Sequence, residues 1–241
     1  MVARLRSFGL PLLGALLALA VSLWAFGVIV DEQIIEGETR TDQRFAEWLH
    51  GRATEPLTDV FRGVTRLGNF TTLFAVTLLA VVILWRRRDR IDAAFVALAA
   101  LGAQVLSTGM KLGFQRDRPF FPDPLATEST FSFPSGHALV SLAVYGSIAL
   151  VLARRLSSHT QRALLLAGTA LLVAAIGFSR LYLGVHFLSD VLAGYAAGVA
   201  WLALLYVALE VRARTPGEPD VSFLPRRATI WERCKTNGSR P

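Results

Sequence analysis

The chain has 241 residues, of which 53% are hydrophobic, and its mean hydropathy is +0.47. A soluble protein is excluded, because several apolar runs approach the length of about 20 residues that crosses the hydrocarbon core of a bilayer. The net charge of +7 does not indicate nucleic-acid binding, since the basic residues are scattered at the ends of the apolar runs.

Six apolar stretches are predicted to span the membrane as helices. They are residues 8–30, 67–85, 91–112, 136–153, 162–178 and 187–209. The first also resembles a secretory signal peptide, since Arg4 and Arg6 precede it and Ala18 to Ala20 could be a cleavage site. Because its apolar run far exceeds the roughly 7–15 residues of a signal peptide, an uncleaved anchor helix is favoured.

The segment between the first two spans, residues 31–66, is predicted to contain two short amphipathic helices at the membrane surface. Apolar residues recur there at helical spacing, first as Phe45, Trp48 and Leu49, and then as Leu57, Val60, Phe61 and Val64. These helices could guide a lipid toward a site, but capping of the helix bundle is the favoured interpretation.

The basic residues predict how the bundle is oriented. With six spans both termini lie on one side of the membrane, and that side carries most of the 25 Lys and Arg residues. The positive-inside rule then predicts a multi-pass cell-membrane protein with both termini in the cytoplasm. Residues 1–214 form one six-span domain, and residues 215–241, which contain the single Cys234, form a poorly ordered cytoplasmic tail.

Three polar segments interrupt the apolar stretches, and all three fall on the predicted outer side. In the first, Lys111 precedes Arg118 by seven residues, and Pro119 ends the helix by disfavouring the α conformation at Arg118. An ammonium and a planar guanidinium could therefore bind one phosphate, from the last helical turn and from an extended segment. The alternative is that both are ordinary cations at a helix end.

The second segment, Pro134 to His137, opens the fourth span. Ser135 and Gly136 precede an apolar helix, so their backbone N–H groups and the positive end of the helix dipole can bind an anion. His137 then lies in the first turn, beside that anion. The alternative is a plain helix cap with an interfacial histidine.

The third segment, Ser179 to Asp190, places His186 and Asp190 four residues apart, on one face of a helix. An aspartate within an apolar span is costly and indicates a functional site. Asp190 can accept the Nδ1–H of His186 and leave Nε2 as a nucleophile, while Arg180 adds a second guanidinium. The alternative is a His–Asp pair that only braces the helix.

Together the three segments resemble the signature of the type 2 phosphatidic acid phosphatase family, which are integral-membrane lipid phosphatases. The resemblance rests on Lys, six residues and Arg-Pro, then Pro-Ser-Gly-His, then Ser-Arg, five residues, His, three residues and Asp. It implies an all-α, six-transmembrane helix bundle, and a phosphatase reaction that uses no metal ion or other cofactor. No nucleic acid or obligatory protein partner is expected.

The resemblance also implies the role of each residue. His186 attacks phosphorus and becomes a phosphohistidine, Asp190 orients His186, and His137 protonates the leaving oxygen and later activates water. The substrate phosphate is bound by Lys111, Arg118, Ser135, Gly136 and Arg180. His50 and His159 have no partners nearby in the sequence, and no role is predicted for them.

The expected substrate is a lipid phosphate or pyrophosphate in the outer leaflet, with undecaprenyl pyrophosphate favoured over phosphatidylglycerophosphate and phosphatidate. Soluble vanadium haloperoxidases share the signature, but six spans argue against one; sugar-phosphate phosphatases remain an alternative. A non-catalytic relative that binds or moves lipids should lack His137 or His186, and both are present. Four aromatic residues could contact lipid chains or anchor in the interface: Phe120, Phe121, Phe131 and Phe133.

Overall fold

The computed structural model describes residues 2–37 and 39–212, apart from the side chains of residues 2–10. These residues form eight α-helices and no strand, as the all-α prediction requires, while the predicted tail at 215–241 lies outside the described residues. A π-helical turn, Asp31–Ile35, continues the first helix. The helices are α1 (Val2–Val30), α2 (Arg40–His50), α3 (Glu55–Arg66), α4 (Phe70–Arg86), α5 (Arg90–Phe114), α6 (Gly136–Ala153), α7 (His159–Tyr182) and α8 (Leu188–Arg212).

Five of these helices, namely α1, α5, α6, α7 and α8, are long and apolar enough to cross a membrane. Helices α3 and α4 pass the same test only as a pair, bent by 41° at a short break. The described residues therefore contain five spans, or six if the bent pair counts as one. The integral-membrane prediction is confirmed, and the count of six depends on how that pair lies in the bilayer.

The break between α3 and α4 contains Gly68 and Asn69, and it lies against the site end of the bundle. A side chain at position 68 would have its Cβ 2.5 Å from Ile176 and 2.8 Å from the ring of His137. Because both distances are far below van der Waals contact, only glycine allows the break to pass this close. The break thus brings Asn69 beside His137.

Helix α6 lies at the centre of the bundle, against α5, α7 and α8. It is apolar on all sides, as expected for a helix surrounded by others. Its contact with α8 is very close, since a Cβ at Gly194 would lie 2.7 Å from the carbonyl oxygen of Ser135. Small residues permit such backbone approach in membrane helices. The first turns of α6 and α8 are thereby held side by side.

The long helices alternate in direction, so the end of α5, the start of α6, the end of α7 and the start of α8 meet at one end of the bundle. All three polar segments lie there. At the opposite end, ion pairs connect the helices, with Arg154 bonding Asp92 at 2.6 Å and Arg155 bonding Asp89 at 2.9 Å. The charged residues of the three polar segments and the basic residues that were predicted to face the cytoplasm therefore lie at opposite ends of the bundle, as the sequence predicted.

The helices α2 and α3 pack on the site end of the bundle. Helix α2 contacts α7 and α8, and α3 contacts α7. Part of each predicted apolar face provides these contacts, since Leu49 is buried in a cluster with Leu181, Tyr182 and Leu183, and Phe61 packs at its edge. Other residues of those faces are exposed, namely Trp48, Leu57 and Val60, and capping of the bundle stays a prediction.

Candidate active site

The first two polar segments line a cavity of about 730 Å³ at the site end of the bundle, and the third segment meets them there through His186, whose Nε2 lies 3.3 Å from NH1 of Arg118. One wall is polar and carries several of the predicted phosphate-binding groups, while the other is apolar and belongs to α4 and the C-terminal part of α5. The polar wall includes Lys111, Arg118, Glu128, Thr130, Gly136 and His137, and the apolar wall includes Phe70, Leu73 and Leu112. A charged head and an apolar chain can both be accommodated there.

His186 is almost completely buried, with 2% of its side chain exposed, and both ring nitrogens have partners. Its Nδ1 lies 3.3 Å from Oδ2 of Asp190, an oxygen that also accepts the N–H of Phe187 at 2.8 Å. Its Nε2 lies 3.3 Å from NH1 of Arg118. Because a guanidinium only donates, Nε2 carries the lone pair and the ring proton sits on Nδ1.

The surroundings of His186 favour its neutral form. Burial, followed by the positive charges of Arg118, Arg180 and Lys111, holds the pKa of His186 well below its usual range. Since an imidazole attacks through an unprotonated nitrogen, this environment keeps His186 in the nucleophilic state.

Two buried donors at this end of the bundle lack a hydrogen-bond partner among the described residues. They are Oγ of Ser135 and Nε of Arg180. Ser135 is the N-cap residue of α6, yet its side chain does not cap the helix. A buried donor without an acceptor costs roughly 1–3 kcal/mol, so both groups are suited to an incoming anion.

The other nitrogens of Arg180 are occupied. NH1 donates to Oγ1 of Thr65 at 2.8 Å, and NH2 donates to the carboxylate of Glu128. The two partners come from α3 and from the loop between α5 and α6, and they fix the plane of the guanidinium. The Nε atom is therefore the donor of Arg180 that is left for a ligand, and it can bond one without the loss of these partners.

Thr130 accepts hydrogen bonds from the other two cations. Lys111 Nζ lies 3.0 Å from its Oγ1, and NH2 of Arg118 lies 3.1 Å from the same atom. Arg118 also donates from Nε to the carbonyl of Thr130 at 2.6 Å. The loop thus folds around Arg118, as predicted for an extended segment after α5, and Thr130 brings the two charges together.

His137 lies in the first turn of α6, where its Nε2 is 2.9 Å from Oδ1 of Asn69. Gly136 lets α5 approach this turn, since a Cβ there would be 2.9 Å from Oγ of Ser107 and 3.9 Å from Cε of Lys111. Lys111 and His137 are thereby brought to the same cavity. Asn69 fixes the orientation of the histidine ring.

One backbone expectation is wrong. The sequence predicted that the N–H groups of both Ser135 and Gly136 are available to an anion. The N–H of Ser135 instead donates to the carbonyl oxygen of Asp190 at 2.9 Å, because α8 lies so close to the start of α6. The amides of the first turn of α6, beginning with Gly136, remain as backbone donors.

The aromatic residues of the α5–α6 loop have different environments. Phe133 is fully buried and packs against Phe26 and Phe114, and Phe121 stacks on His50 with ring centres 4.0 Å apart. Phe133 is therefore not available to lipid chains, because internal packing takes up its ring, whereas Phe121 is half-buried. Phe131 lines the cavity, and Phe120 is 88% exposed.

Sequence reasoning missed several residues that contact the predicted site. Arg116 donates from NH1 to Oδ1 of Asp190 at 2.7 Å, and from NH2 to Oδ2 of Asp42 at 2.9 Å. Arg116 lies within the first polar segment, where a third cation was a usable signal. Asn69, Glu128 and Asp42 carry no comparable signal, because each reaches the site from a distant part of the chain.

Comparisons with known proteins match the part of the chain that carries this site. The PAP2 superfamily profile matches residues 92–214. Phosphatidylglycerophosphatase B of Bacillus subtilis (strain 168) is 35% identical over 146 residues, which are 59% of this chain and 70% of that protein. The relationship therefore covers all three polar segments and the helices that carry them.

Two crystal structures resemble the fold. One is the first transmembrane PAP2-type phosphatidylglycerolphosphate phosphatase from Bacillus subtilis, with a TM-score of 0.70 and 25% identity, covering 83% of this chain and 98% of that one. The other is Aquifex aeolicus LpxE, with a TM-score of 0.53 and 24% identity, covering 68% of this chain and 94% of that one. The second likeness shows the fold alone.

Proposed function

Since the chain belongs to the PAP2 superfamily and is an integral-membrane phosphatase, we propose that it removes the terminal phosphate of a glycerophospholipid. Phosphatidylglycerophosphate is the proposed substrate, because both Bacillus subtilis relatives are named for it. Undecaprenyl pyrophosphate, favoured from the sequence, becomes the alternative, and phosphatidate is a further candidate.

The observation that carries the proposal is the position of one unprotonated nitrogen among phosphate-binding groups. Nε2 of His186 lies against Arg118, which is held through Thr130 beside Lys111. The same end of the bundle holds the unbonded donors of Ser135 and Arg180. A nucleophile and several cations at one end of the bundle suit phosphoryl transfer, which depends on positioning and on stabilising negative charge.

In the first step, Nε2 of His186 attacks phosphorus while the bond from phosphorus to the lipid oxygen breaks. Lys111, Arg118 and Arg180 bind the phosphoryl oxygens, together with Ser135 and the N–H of Gly136. Asp190 accepts the Nδ1–H of His186 and stabilises the positive charge that the ring gains. His137 donates a proton to the departing lipid oxygen, so the lipid leaves as an alcohol.

In the second step, His137 takes a proton from water, and the resulting hydroxide attacks the phosphorus of the phosphohistidine. The bond between phosphorus and Nε2 breaks, inorganic phosphate leaves, and both histidines regain their starting forms. Neither step contains a task that requires a metal ion, and we include metal independence in the proposal.

The site is proposed to face outward. The arginines of the opposite end, including Arg86, Arg87, Arg154 and Arg155, would lie at the cytoplasmic surface under the positive-inside rule. The apolar wall formed by α4 and α5 would then admit a lipid of the outer leaflet, with its phosphate on the polar wall.

Phosphate release by the purified full-length protein, with a chelator present, tests this proposal. The panel contains phosphatidylglycerophosphate, phosphatidate, undecaprenyl pyrophosphate and glucose 6-phosphate, and we expect the first to be hydrolysed fastest. Faster release from undecaprenyl pyrophosphate would make that lipid, and not phosphatidylglycerophosphate, the assigned substrate. Release from the sugar phosphate alone would exclude a lipid substrate, and no release from any compound would indicate a non-catalytic relative.

The phosphohistidine is tested separately, with a substrate labelled in its phosphate and rapid acid-free quenching. We expect label on the wild-type protein and none on His186→Asn. His159→Asn is the matched control, because His159 is an exposed histidine at the first residue of α7, away from the site. Equal labelling of the wild type and His186→Asn would contradict the nucleophile assignment.

A further inference from the structure

A buried cluster of charges surrounds Asp190, the partner of His186, and the arginine of this cluster also lines the cavity. It consists of Asp42 from α2, Arg116 from the loop after α5, and Asp190 from α8. Arg116 bonds both carboxylates, at 2.7 Å to Asp190 and 2.9 Å to Asp42, and its guanidinium stacks 4.5 Å from the centre of the Phe187 ring. The side chains of Arg116 and Asp42 are only 8% and 6% exposed.

We propose that Arg116 and Asp42 are positioning residues for His186, acting through Asp190. This inference rests on the proposed phosphohistidine mechanism, and its first basis is geometric. Oδ1 of Asp190 is held by Arg116, and Oδ2 is held by the N–H of Phe187 and faces His186. With a donor on each oxygen, the carboxylate cannot rotate away, so the imidazole plane is fixed as well.

The second basis is charge. An Arg116–Asp190 pair alone would be neutral, and it would do little to stabilise the positive ring that forms when His186 attacks phosphorus. Asp42 offsets the charge of Arg116, so the three groups together carry one negative charge. In a buried site that charge acts at low dielectric and complements the charge of the reacting ring.

The third basis is the attachment of Asp42 to α8. Its Oδ1 accepts the N–H of Ser189 at 3.0 Å, and its Oδ2 accepts the Ser189 hydroxyl. The Ser189 hydroxyl in turn accepts a hydrogen bond from NH1 of Arg116 at 2.7 Å. Helix α2 thereby caps the first turn of α8, the turn that carries Asp190, and becomes part of the support of the nucleophile.

The test compares Asp42→Asn, which removes the charge and keeps the shape, with Asp42→Glu, which keeps the charge. Rates are measured with dioctanoyl phosphatidylglycerophosphate in detergent micelles, and inorganic phosphate is used as an inhibitor. For Asp42→Asn we expect kcat to fall roughly 10–100-fold, the usual loss when a group that orients a catalytic ligand is removed. KM and the inhibition constant of phosphate should stay unchanged, because the cavity cations keep their places.

Asp42→Glu should recover part of that kcat, and Asp123→Asn should match the wild type. Asp123 is the matched control, since it is a loop aspartate at the same end of the bundle, 82% exposed and paired with His50. A wild-type kcat for Asp42→Asn would overturn the proposal. Equal losses in the Asn and Glu variants, with a lowered unfolding temperature, would also overturn it, because a structural role alone explains them.

If Asp42→Asn does not fold, Arg116→Lys replaces it in the same assays. Lysine keeps the charge but cannot bond both carboxylates in the planar arrangement of a guanidinium. A fall in kcat at constant KM supports the proposal, and a wild-type kcat overturns it. The His186→Asn variant separates the two hypotheses: if it remains active, the proposed mechanism fails, whereas an inactive His186→Asn beside a fully active Arg116→Lys rejects only the positioning role.

Discussion

The Nε2 atom of His186 lies 3.3 Å from NH1 of Arg118. Because arginine has no acceptor, this contact assigns the lone pair to Nε2 and the proton to Nδ1, which faces Asp190. A phosphate bound to Arg118 would replace Nε2 as the acceptor of that N–H group. Its phosphorus would then lie next to the nitrogen that we propose as the nucleophile.

The environment of His186 predicts how the ring titrates. Burial first, and then the charge of Arg118, lower the pKa of His186, so its ring should stay neutral well below about pH 6.5, the usual midpoint. Inorganic phosphate should raise this pKa, because its negative charge offsets the cations around the ring. Histidine nitrogen shifts in ¹⁵N-labelled protein, recorded across pH with and without phosphate, measure both effects.

In that titration, the histidine signal that is missing from the His186→Asn variant is the signal of His186. The charged or titratable groups that face His186 are Lys111, Arg118, His137, Arg180 and Asp190. A phosphate-free midpoint near 6.5, or a pKa that phosphate fails to raise, would show that the ring is not held among these cations as the structure indicates.

The role of His137 as general acid predicts a dependence on the leaving group. His137→Ala should lower kcat for a lipid phosphate by about 10²–10⁴-fold, because a lipid alkoxide needs a proton to leave. In the first step alone, measured as the burst of released alcohol or nitrophenolate, the loss should be much smaller for p-nitrophenyl phosphate, whose nitrophenolate leaves without a proton. Asn69→Ala should show the same pattern more weakly, since Asn69 only orients the ring, with 2.9 Å between its Oδ1 and Nε2. Equal losses of the first-step rate on both substrates would reject the acid role.

The close contact between α6 and α8 predicts that Gly194→Ala is destabilising. The new Cβ would lie 2.7 Å from the carbonyl oxygen of Ser135, a backbone atom that cannot move without shifting the start of α6. We expect a cost of roughly 1–3 kcal/mol, as for other overpacked positions, and a loss of activity. Unfolding temperature in detergent and phosphate release measure the two effects.

Gly168→Ala is the control for that substitution. Gly168 lies within α7, and a Cβ there would meet no atom within 4 Å. Alanine should be neutral or stabilise the helix by about 0.5–1 kcal/mol. If the two variants unfolded at the same temperature, close packing at Gly194 would not be what brings α6 and α8 together.

The contact between Glu128 and Arg180 predicts that removal of the Glu128 charge strengthens the binding of negatively charged ligands. Its carboxylate accepts from Arg180 at the cavity wall and offsets one of the three cations. Glu128→Gln should therefore tighten inhibition by inorganic phosphate by roughly three- to tenfold, the effect of removing one partly screened charge nearby. Hydrolysis of a lipid pyrophosphate should rise relative to a monophosphate, since the pyrophosphate is more negative.

Glu47→Gln removes the same charge from an exposed position on α2, so it serves as the matched variant for Glu128→Gln. It should leave both the inhibition constant and the substrate ratio unchanged. An identical response of the two glutamine variants would mean that only the overall charge matters, and that the Glu128–Arg180 contact has no specific effect on the bound phosphate.

Much of the candidate site could be predicted because its signals are local. The four-residue spacing predicted the contact of His186 with Asp190, although His186 precedes α8 instead of lying on it, so the shared helix face was wrong. Pro119 predicted a non-helical Arg118, and α5 ends before it, at Phe114. The partners of these residues could not be predicted in the same way. Thr130 and Asn69 are ordinary polar residues, and their importance comes only from the side chains that they meet.

The sequence by itself determined that this is a helical membrane protein, and that the three polar segments proposed to carry the chemistry meet at one end of the bundle. Apolar length, helical periodicity and the alternation of helix direction are sufficient for that. Only the tertiary structure decided what supports the nucleophile. Asp42 and Asp190 are 148 positions apart and meet on Arg116, because α2 folds back onto the start of α8, a contact that no local pattern encodes.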